Sequence, residues 1–264
     1  MSGLGIILTV IGCFGVLVLP RVKAVAALIA STLYITQGQA IDIFSVNMMA
    51  IRFIEVAALV RCIARGEFKT LRFSRSDRMF IIFLLVYLGI EVLRTGTLNM
   101  GTLGFAVDGM IVFFFFRSMI RSYDEFIQVF GLIVMLLVPF AGAMIFEAIK
   151  GRNLFAMMGG VPEVPMLREG YYRCQGSFRH AITAGTVGAT FFPLYLGLFF
   201  AMRGGSRWII GVLACLAIVV SSHSSGPLLT TITGIAGWFC WVFRKKMKVV
   251  KAAIIGSIIG LDFV

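Results

Sequence analysis

Runs of about 20 apolar residues recur along the whole chain, and this spacing limits the possible folds more than any other feature. Apolar residues make up 59% of the sequence and charged residues 14%, whereas a soluble domain carries about 25% charged residues. Because backbone polar groups inside lipid must be bonded within their own element, we expect these runs to be helices. The sequence therefore predicts an all-α, polytopic transmembrane helical bundle in which residues 1–264 form a single integral membrane domain.

The basic residues divide the loops into two alternating sets, and this division predicts the topology. We predict about ten spans, at residues 4–20, 24–40, 44–60, 79–93, 102–116, 125–147, 181–202, 207–222, 226–243 and 252–264. The loops after the odd-numbered spans hold 17 of the 24 Lys and Arg residues. Short loops rich in Lys and Arg lie on the cytoplasmic side, where they also meet anionic lipids. The N-terminus is therefore expected outside.

One loop on the opposite side keeps basic residues that this charge rule does not explain. The predicted outer loop, residues 148–180, contains Lys150, Arg152, Arg168, Arg173 and Arg179. Its density of Gly and Pro favours an ordered, turn-rich lid or a mobile loop over another helix. An anionic ligand on the outer side is the simplest reason for these five cations.

The last predicted span is short. It begins after Lys251 and reaches Val264, about 13 residues, whereas a helix needs about 20 residues to cross the hydrocarbon core. We expect the chain to be truncated within this span. A short, tilted or half-inserted terminal helix is the alternative.

Arg173, Arg179 and His180 form the first candidate site, at the start of the seventh predicted span. A guanidinium binds phosphate oxygens through two parallel N–H groups, and a helix start adds free N–H groups and a positive dipole end. These features predict a diphosphate site at the outer interface. His180 could donate to the same anion or act as an acid or base. The alternative is that both arginines reach lipid headgroups.

Serines and carboxylates near the same side form further candidates. Ser224 and Ser225 lie in the outer turn 221–227, where hydroxyls can cap helices or bind a sugar or phosphate. Glu91 and Glu147 lie near the outer ends of the fourth and sixth predicted spans. A carboxylate there could act as a base toward an acceptor hydroxyl, so His180, Glu91 and Glu147 are the candidate catalytic residues.

Three charged residues lie near the middle of predicted spans. Arg52 and Glu55 are three residues apart and therefore share one helix face, and Asp108 lies near the centre of the fifth span. An unpaired charge at that depth costs about 2.5–3.5 kcal/mol. We expect Arg52 and Glu55 to pair or to face the bundle interior. Asp108 is either functional or bonded to a polar group on another helix.

Several classes of site are disfavoured. The chain has two histidines, no HExxH motif and no carboxylate pair at ligand spacing, so no metal site is predicted. Five cysteines without a CxxC spacing indicate neither zinc nor a redox pair. The basic residues form no stripe, which argues against nucleic acid as a partner. No cofactor is expected.

Two short motifs carry a resemblance to a known family. The first is Arg173-x-x-Gly176-x-Phe178-x-His180, followed by Gly185 in a new span, and the second is the serine-rich turn 221–227. Together they resemble the bacterial O-antigen ligase and polysaccharide polymerase family over roughly residues 165–230. Ala181 stands where this family commonly has proline, and Ser225 where it often has arginine.

The resemblance implies an all-helical membrane glycosyltransferase that uses neither metal nor nucleotide sugar. Such a protein transfers or polymerises a glycan from an undecaprenyl-diphosphate carrier at the periplasmic face of the bacterial inner membrane. Arg173 and Arg179 are the positions that fit the role of binding the carrier diphosphate. The family's outer loop with its catalytic histidine would follow residue 264, so a truncated chain would be an inactive fragment. A transporter or flippase for an anionic lipid or solute is the alternative.

Overall fold

The computed structural model describes residues 1–43, 46–202, 204–242, 244–246, 248 and 251–252. Helices make up most of these residues, which confirms the all-α prediction. The helices are α1 (Gly3–Val18), α2 (Arg21–Tyr34), α3 (Ala50–Ala64), α4 (Arg75–Thr95), α5 (Met100–Met119), α6 (Tyr123–Lys150), α7 (Ala181–Ala201), α8 (Ser206–Ser221) and α9 (Ser225–Val242). Short 3₁₀ turns lie at Glu67–Thr70, Leu154–Met158 and Arg244–Lys246.

Within the described residues two β-hairpins interrupt the helices, and the sequence predicted neither. Strands β1 (Ala40–Ile43) and β2 (Val46–Met49) pair antiparallel, with Ala40 opposite Met49. The third predicted span, 44–60, therefore becomes helical only at Ala50. Strands β3 (Met166–Arg168) and β4 (Tyr171–Arg173) form the second hairpin, inside the predicted outer loop. That loop accordingly contains ordered structure of its own.

The predicted count of about ten spans is not supported. Over the part of the chain that the structure describes, three helices are long and apolar enough to cross a membrane: α5, α6 and α7. The apolar helices α1 and α8 have 16 residues each, and α2 and α3 have 14 and 15, all below the roughly 20 that a span needs. The predicted span 252–264 lies outside the described residues, except for residue 252. The three long apolar helices indicate a membrane protein.

Helix ends follow local sequence signals. Ser74 and Asp77 form a capping box at the start of α4, in which Ser74 N donates to Asp77 Oδ2 over 2.7 Å and Asp77 N donates to Ser74 Oγ over 3.2 Å. The Arg117 guanidinium, 2.9 Å from Asp77 Oδ1, holds the pKa of this carboxyl well below its usual range, with help from Ser74. Helix α4 ends at Gly96, whose φ of 72° suits glycine.

The chain divides into two compact units. The N-terminal unit comprises residues Met1–Leu136, Phe155–Glu163 and Ser177–Arg179, and the C-terminal unit comprises Leu137–Leu154, Val164–Gly176 and His180–Val264. In the N-terminal unit α3 packs on α1, α2 and α5. Ile54 and Phe115 are fully buried there. This packing fixes the relative positions of the charged residues on α3 and α5.

In the C-terminal unit α7 packs on α8 and α9 through small residues. A Cβ at Gly188 would lie 2.6 Å from Cys215 O, and a Cβ at Gly185 would lie 2.8 Å from Pro227 Cγ. Small residues allow helix backbones to approach closely, as is common in membrane helices. Gly185, part of the motif noted in the sequence, therefore places the start of α7 against the turn between α8 and α9.

Candidate functional site

The hairpin β3–β4 lies against the turn between α8 and α9. Cys174 N, just after β4, donates to Ser221 O over 3.2 Å. The hairpin turn is Glu169-Gly170, and both residues have positive φ, 53° and 82°. Positive φ at both central residues is typical of the type I′ turn, whose twist suits a two-residue hairpin loop. Tyr171 and Arg173 of β4 contact His223 and Ser224 of the 221–225 turn.

Glu147, near the end of α6, anchors the chain that follows the hairpin. Its two carboxylate oxygens accept from Gln175 N over 3.0 Å and Gly176 N over 2.9 Å, and its side chain is 1% exposed. Asn153 Nδ2 also donates to Gly176 O over 2.8 Å. Gly176 has a φ of 57°, and a Cβ there would lie 3.0 Å from Phe140. This geometry favours a structural role for Glu147 over the base that the sequence suggested.

Arg173, a predicted anion-binding residue, contacts one of the predicted hydroxyl ligands. Its Nη2 donates to Ser224 Oγ over 3.4 Å. Its Nε is shielded from solvent and has no hydrogen-bond partner among the described residues. Buried polar groups are normally satisfied, so such an N–H calls for an explanation. The structure therefore brings together Arg173 and Ser224, two residues that the sequence proposed as ligands of one anion.

A cavity of about 430 Å³ opens beside this pair. The hairpin contributes polar side chains, α8 contributes an apolar wall, and the start of α9 contributes hydroxyls. The lining residues are Arg168, Glu169, Tyr171, Val219, Val220, His223, Ser224, Ser225 and Leu228. Ser224 and Ser225, both predicted substrate-binding residues, thus share this cavity, and Ser224 links it to Arg173. The mixed lining suits a ligand with both polar and apolar parts.

His223 also lines this cavity, although the sequence did not make it a candidate residue. Its Nδ1 lies 3.3 Å from Ser221 O, and its ring stacks on that of Tyr171 with centroids 4.9 Å apart. Because a carbonyl oxygen only accepts, Nδ1 must donate in this contact, and Nε2 of a neutral ring then keeps its lone pair. His223 has a φ of 41°. No sequence pattern indicates this backbone conformation or the contact with Tyr171.

His180, Arg179 and Glu91, the remaining candidates, each have surroundings of their own. His180 precedes α7 and is exposed, and its backbone oxygen accepts from Thr183 N and Ala184 N without a side-chain cap. Arg179 belongs to the N-terminal unit, where its backbone N–H donates to Gln37 Oε1 over 3.2 Å. Glu91 of α4 pairs with Arg94 at 3.0 Å. Glu91 is therefore engaged in a local ion pair of its own helix.

Cys174 is expected to be nearly inert toward thiol reagents. It is fully buried, and burial, together with the charge of Glu147, raises its pKa to about 12. Because the thiolate is the reactive form, labelling by N-ethylmaleimide should be about a thousandfold slower than at an exposed cysteine. The measurement uses a variant in which the other four cysteines are serine. Val164→Cys, an exposed position of the same loop, is the control, and comparable rates would contradict this burial.

The fold and the cavity define a mainly helical membrane protein in which Arg173 and Ser224 lie beside an amphipathic cavity. Of the residues that the structure describes, no three His, Cys, Asp or Glu side chains come together as a possible metal site. Comparison with family models, with curated proteins and with solved structures found no match. The function of this chain is therefore inferred from its own geometry.

Proposed function

We propose that this chain is a membrane glycosyltransferase-like protein of the O-antigen ligase and polymerase type. It takes a glycan from an undecaprenyl-diphosphate carrier at the periplasmic face of the bacterial inner membrane. Arg173, Ser224 and Ser225 bind the carrier diphosphate, and His180 of the same unit is proposed to assist. The proposal includes a multi-pass topology with the N-terminus outside, in which the 17 basic residues lie on the cytoplasmic side.

The observation that carries this proposal is the guanidinium of Arg173. Its Nη2 contacts Ser224, while its Nε is shielded and unpartnered. An arginine has five N–H donors in a planar arrangement that matches the oxygens of a phosphate. A diphosphate oxygen bound there would satisfy Nε and would place the glycan toward the cavity beside Ser224.

The same geometry suits the chemistry of the transfer. As the bond from the sugar to the carrier phosphate breaks, negative charge develops on the leaving diphosphate. A guanidinium held in position stabilises that charge more in the transition state than in the ground state. The anchoring of the 173–176 segment by Glu147 and Ser221 keeps the guanidinium in place, so that little reorganisation is needed during the reaction.

Binding of the carrier lipid tests the proposal directly. The purified chain in nanodiscs is titrated with undecaprenyl diphosphate and with undecaprenyl monophosphate. Arg173→Ala should weaken diphosphate binding about 10- to 100-fold, because a hydrogen bond to a charged group contributes about 1.5–3 kcal/mol. Arg173→Lys should retain part of the affinity, since Lys offers a charge but not the planar donors.

The control is Lys150→Ala, which removes an exposed cation from the same loop but not from the cavity. It should bind as tightly as the unchanged chain. Equal affinity of Arg173→Ala and Lys150→Ala would show that the proposed site is wrong. A transport assay in proteoliposomes tests the transporter alternative. If labelled lipid diphosphate crosses the bilayer without being consumed, the chain is a transporter and the transferase proposal is wrong.

A further inference from the structure

A charged cluster of the N-terminal unit joins α3 and α5. Arg52 Nε donates to Asp108 Oδ2 over 3.1 Å. The Arg52 guanidinium lies over Gly104, one helical turn before Asp108, where a Cβ would collide with Nη2. Glycine at 104 therefore makes room for an arginine that reaches Asp108 on the other helix. The ion pair is therefore part of the contact between α3 and α5.

Glu55 completes the cluster and differs from its neighbours. It lies three residues after Arg52 on the same face of α3, and its carboxyl group faces that of Asp108. It is 6% exposed, and its Oε2 is shielded without a hydrogen-bond partner. An unpartnered oxygen on a buried carboxyl group is costly if the group is an anion.

The charges of this cluster do not balance if both carboxyl groups are ionised. One guanidinium faces two carboxyl groups, and the charge of Arg52 is matched by Asp108. A second carboxylate would leave one buried negative charge without a partner, and buried groups in that position bind a proton instead. Arg61 and Glu67 provide the contrast, because there one buried guanidinium meets one carboxylate at 3.2 Å.

We propose that Glu55 binds an exchangeable proton, and that Glu55, Asp108 and Arg52 together form a proton-binding site between α3 and α5. The proton is held between the two carboxyl groups. Its loss leaves two carboxylates competing for one guanidinium, which weakens the contact between the helices. This site is separate from the diphosphate site and does not depend on the proposed function.

The groups around Glu55 support this assignment. Asp108 of α5 and Arg52 of α3 are the charged groups that act on it. Among the other elements packed on α3, α1 contributes Cys13 as its ionisable side chain. Helix α2 contributes Arg21, which pairs with Glu125, Tyr34, which donates to Leu136 O, and Lys23. Glu67 of the 3₁₀ turn is bound to Arg61. Protonation of Glu55 therefore depends on the Arg52–Asp108 pair.

Dicyclohexylcarbodiimide, an apolar reagent that modifies protonated carboxyl groups, tests the site in the full chain in detergent. Mass spectrometry should find the adduct on Glu55 at neutral pH, with a rate that falls as the pH rises. Glu67, paired with Arg61, is the internal control and should stay unmodified. Modification of Glu67 and Glu55 at equal rates, or no modification of Glu55, would overturn the proposal.

Asp108→Asn provides the decisive variant. It frees Arg52 to pair with Glu55, which favours the carboxylate, so modification of Glu55 should fall about tenfold or more. A Glu55 that is merely buried would react as fast in this variant as in the unchanged chain, and that result would contradict the shared proton. Infrared spectroscopy of the unchanged chain, which detects the protonated carboxyl group and its loss with rising pH, gives a second readout that needs no variant.

Discussion

Replacing Glu147 by alanine is expected to release the 173–176 segment and to lower the free energy of unfolding by about 3–5 kcal/mol. Glu147 is 1% exposed, and its oxygens accept from Gln175 N and Gly176 N. Without them, two N–H groups in a buried segment lose their acceptors. Arg173, two residues before Gln175, should then lose its position beside Ser224.

Glu147→Gln separates hydrogen bonding from packing. The amide keeps the shape of the side chain but turns an NH₂ group toward one of the two N–H donors. We therefore expect at least half of the loss seen with alanine. If Glu147 contributed packing alone, Glu147→Gln would leave the free energy of unfolding nearly unchanged, and that outcome would contradict the anchoring role.

Thermal unfolding in detergent measures the stability of the Glu147 variants, and labelling of Cys174 reports release of the segment. Cys174 directly precedes Gln175 and is fully buried, so its labelling should accelerate in both variants. Glu91→Gln is the matched control. Its partner Arg94 is exposed, and surface ion pairs contribute about 0–1 kcal/mol. Unchanged labelling of Cys174 in Glu147→Ala would show that the segment is held by other contacts.

Replacing Arg61 by alanine is expected to destabilise the N-terminal unit by about 3–5 kcal/mol. Arg61 is 2% exposed and pairs with Glu67. Its Nη1 also donates to Val16 O and Leu19 O, each over 2.6 Å, at the end of α1. Its removal leaves a buried carboxylate without a counterion and two carbonyl oxygens of the chain without this donor.

Arg65→Ala is the control for Arg61→Ala, since Arg65 lies one turn later, directly after the end of α3. Arg65 Nη2 donates to Leu17 O over 2.7 Å, but from an exposed position. Its loss should cost less than about 1 kcal/mol, because water can replace the donor. The double variant Arg61→Met with Glu67→Leu should regain much of the stability, since it removes both buried charges. Equal midpoints of thermal unfolding for Arg61→Ala and Arg65→Ala would contradict this assignment.

Much of the candidate site could be proposed from sequence because its residue types are chemically specific. Arginine beside a helix start, and hydroxyls in a turn between apolar runs, indicated Arg173, Ser224 and Ser225 as possible partners of an anion. The structure brings these three together at one corner. It does so through contacts that no spacing reveals, in particular the docking of Cys174 N on Ser221 O. The place of His223 and Tyr171 in the cavity depends on the same docking.

The partners of Arg61 and Asp108 could not be predicted from the sequence. Sequence placed Arg61 among the basic residues of a cytoplasmic loop, whereas the structure buries it against α1 and Glu67. Asp108 had no local partner in sequence, and the structure pairs it with Arg52, 56 residues away. Arg52 and Glu55 were expected to pair or to face the interior, and in the structure Arg52 forms an ion pair with Asp108 while Glu55 is buried. Each outcome depends on which helix packs beside which.

The sequence by itself determined the helical, membrane-associated character of this protein, because apolar periodicity and composition act locally along the chain. The tertiary structure decided that Glu147 anchors a buried segment, that Asp108 forms an ion pair with Arg52, and that Glu55 is buried beside Asp108. It also decided that residues 40–49 form a hairpin and that three of the described helices reach a spanning length. The physical reason is that pairing and burial depend on distances between residues far apart in sequence, and these distances exist only once the helices have packed.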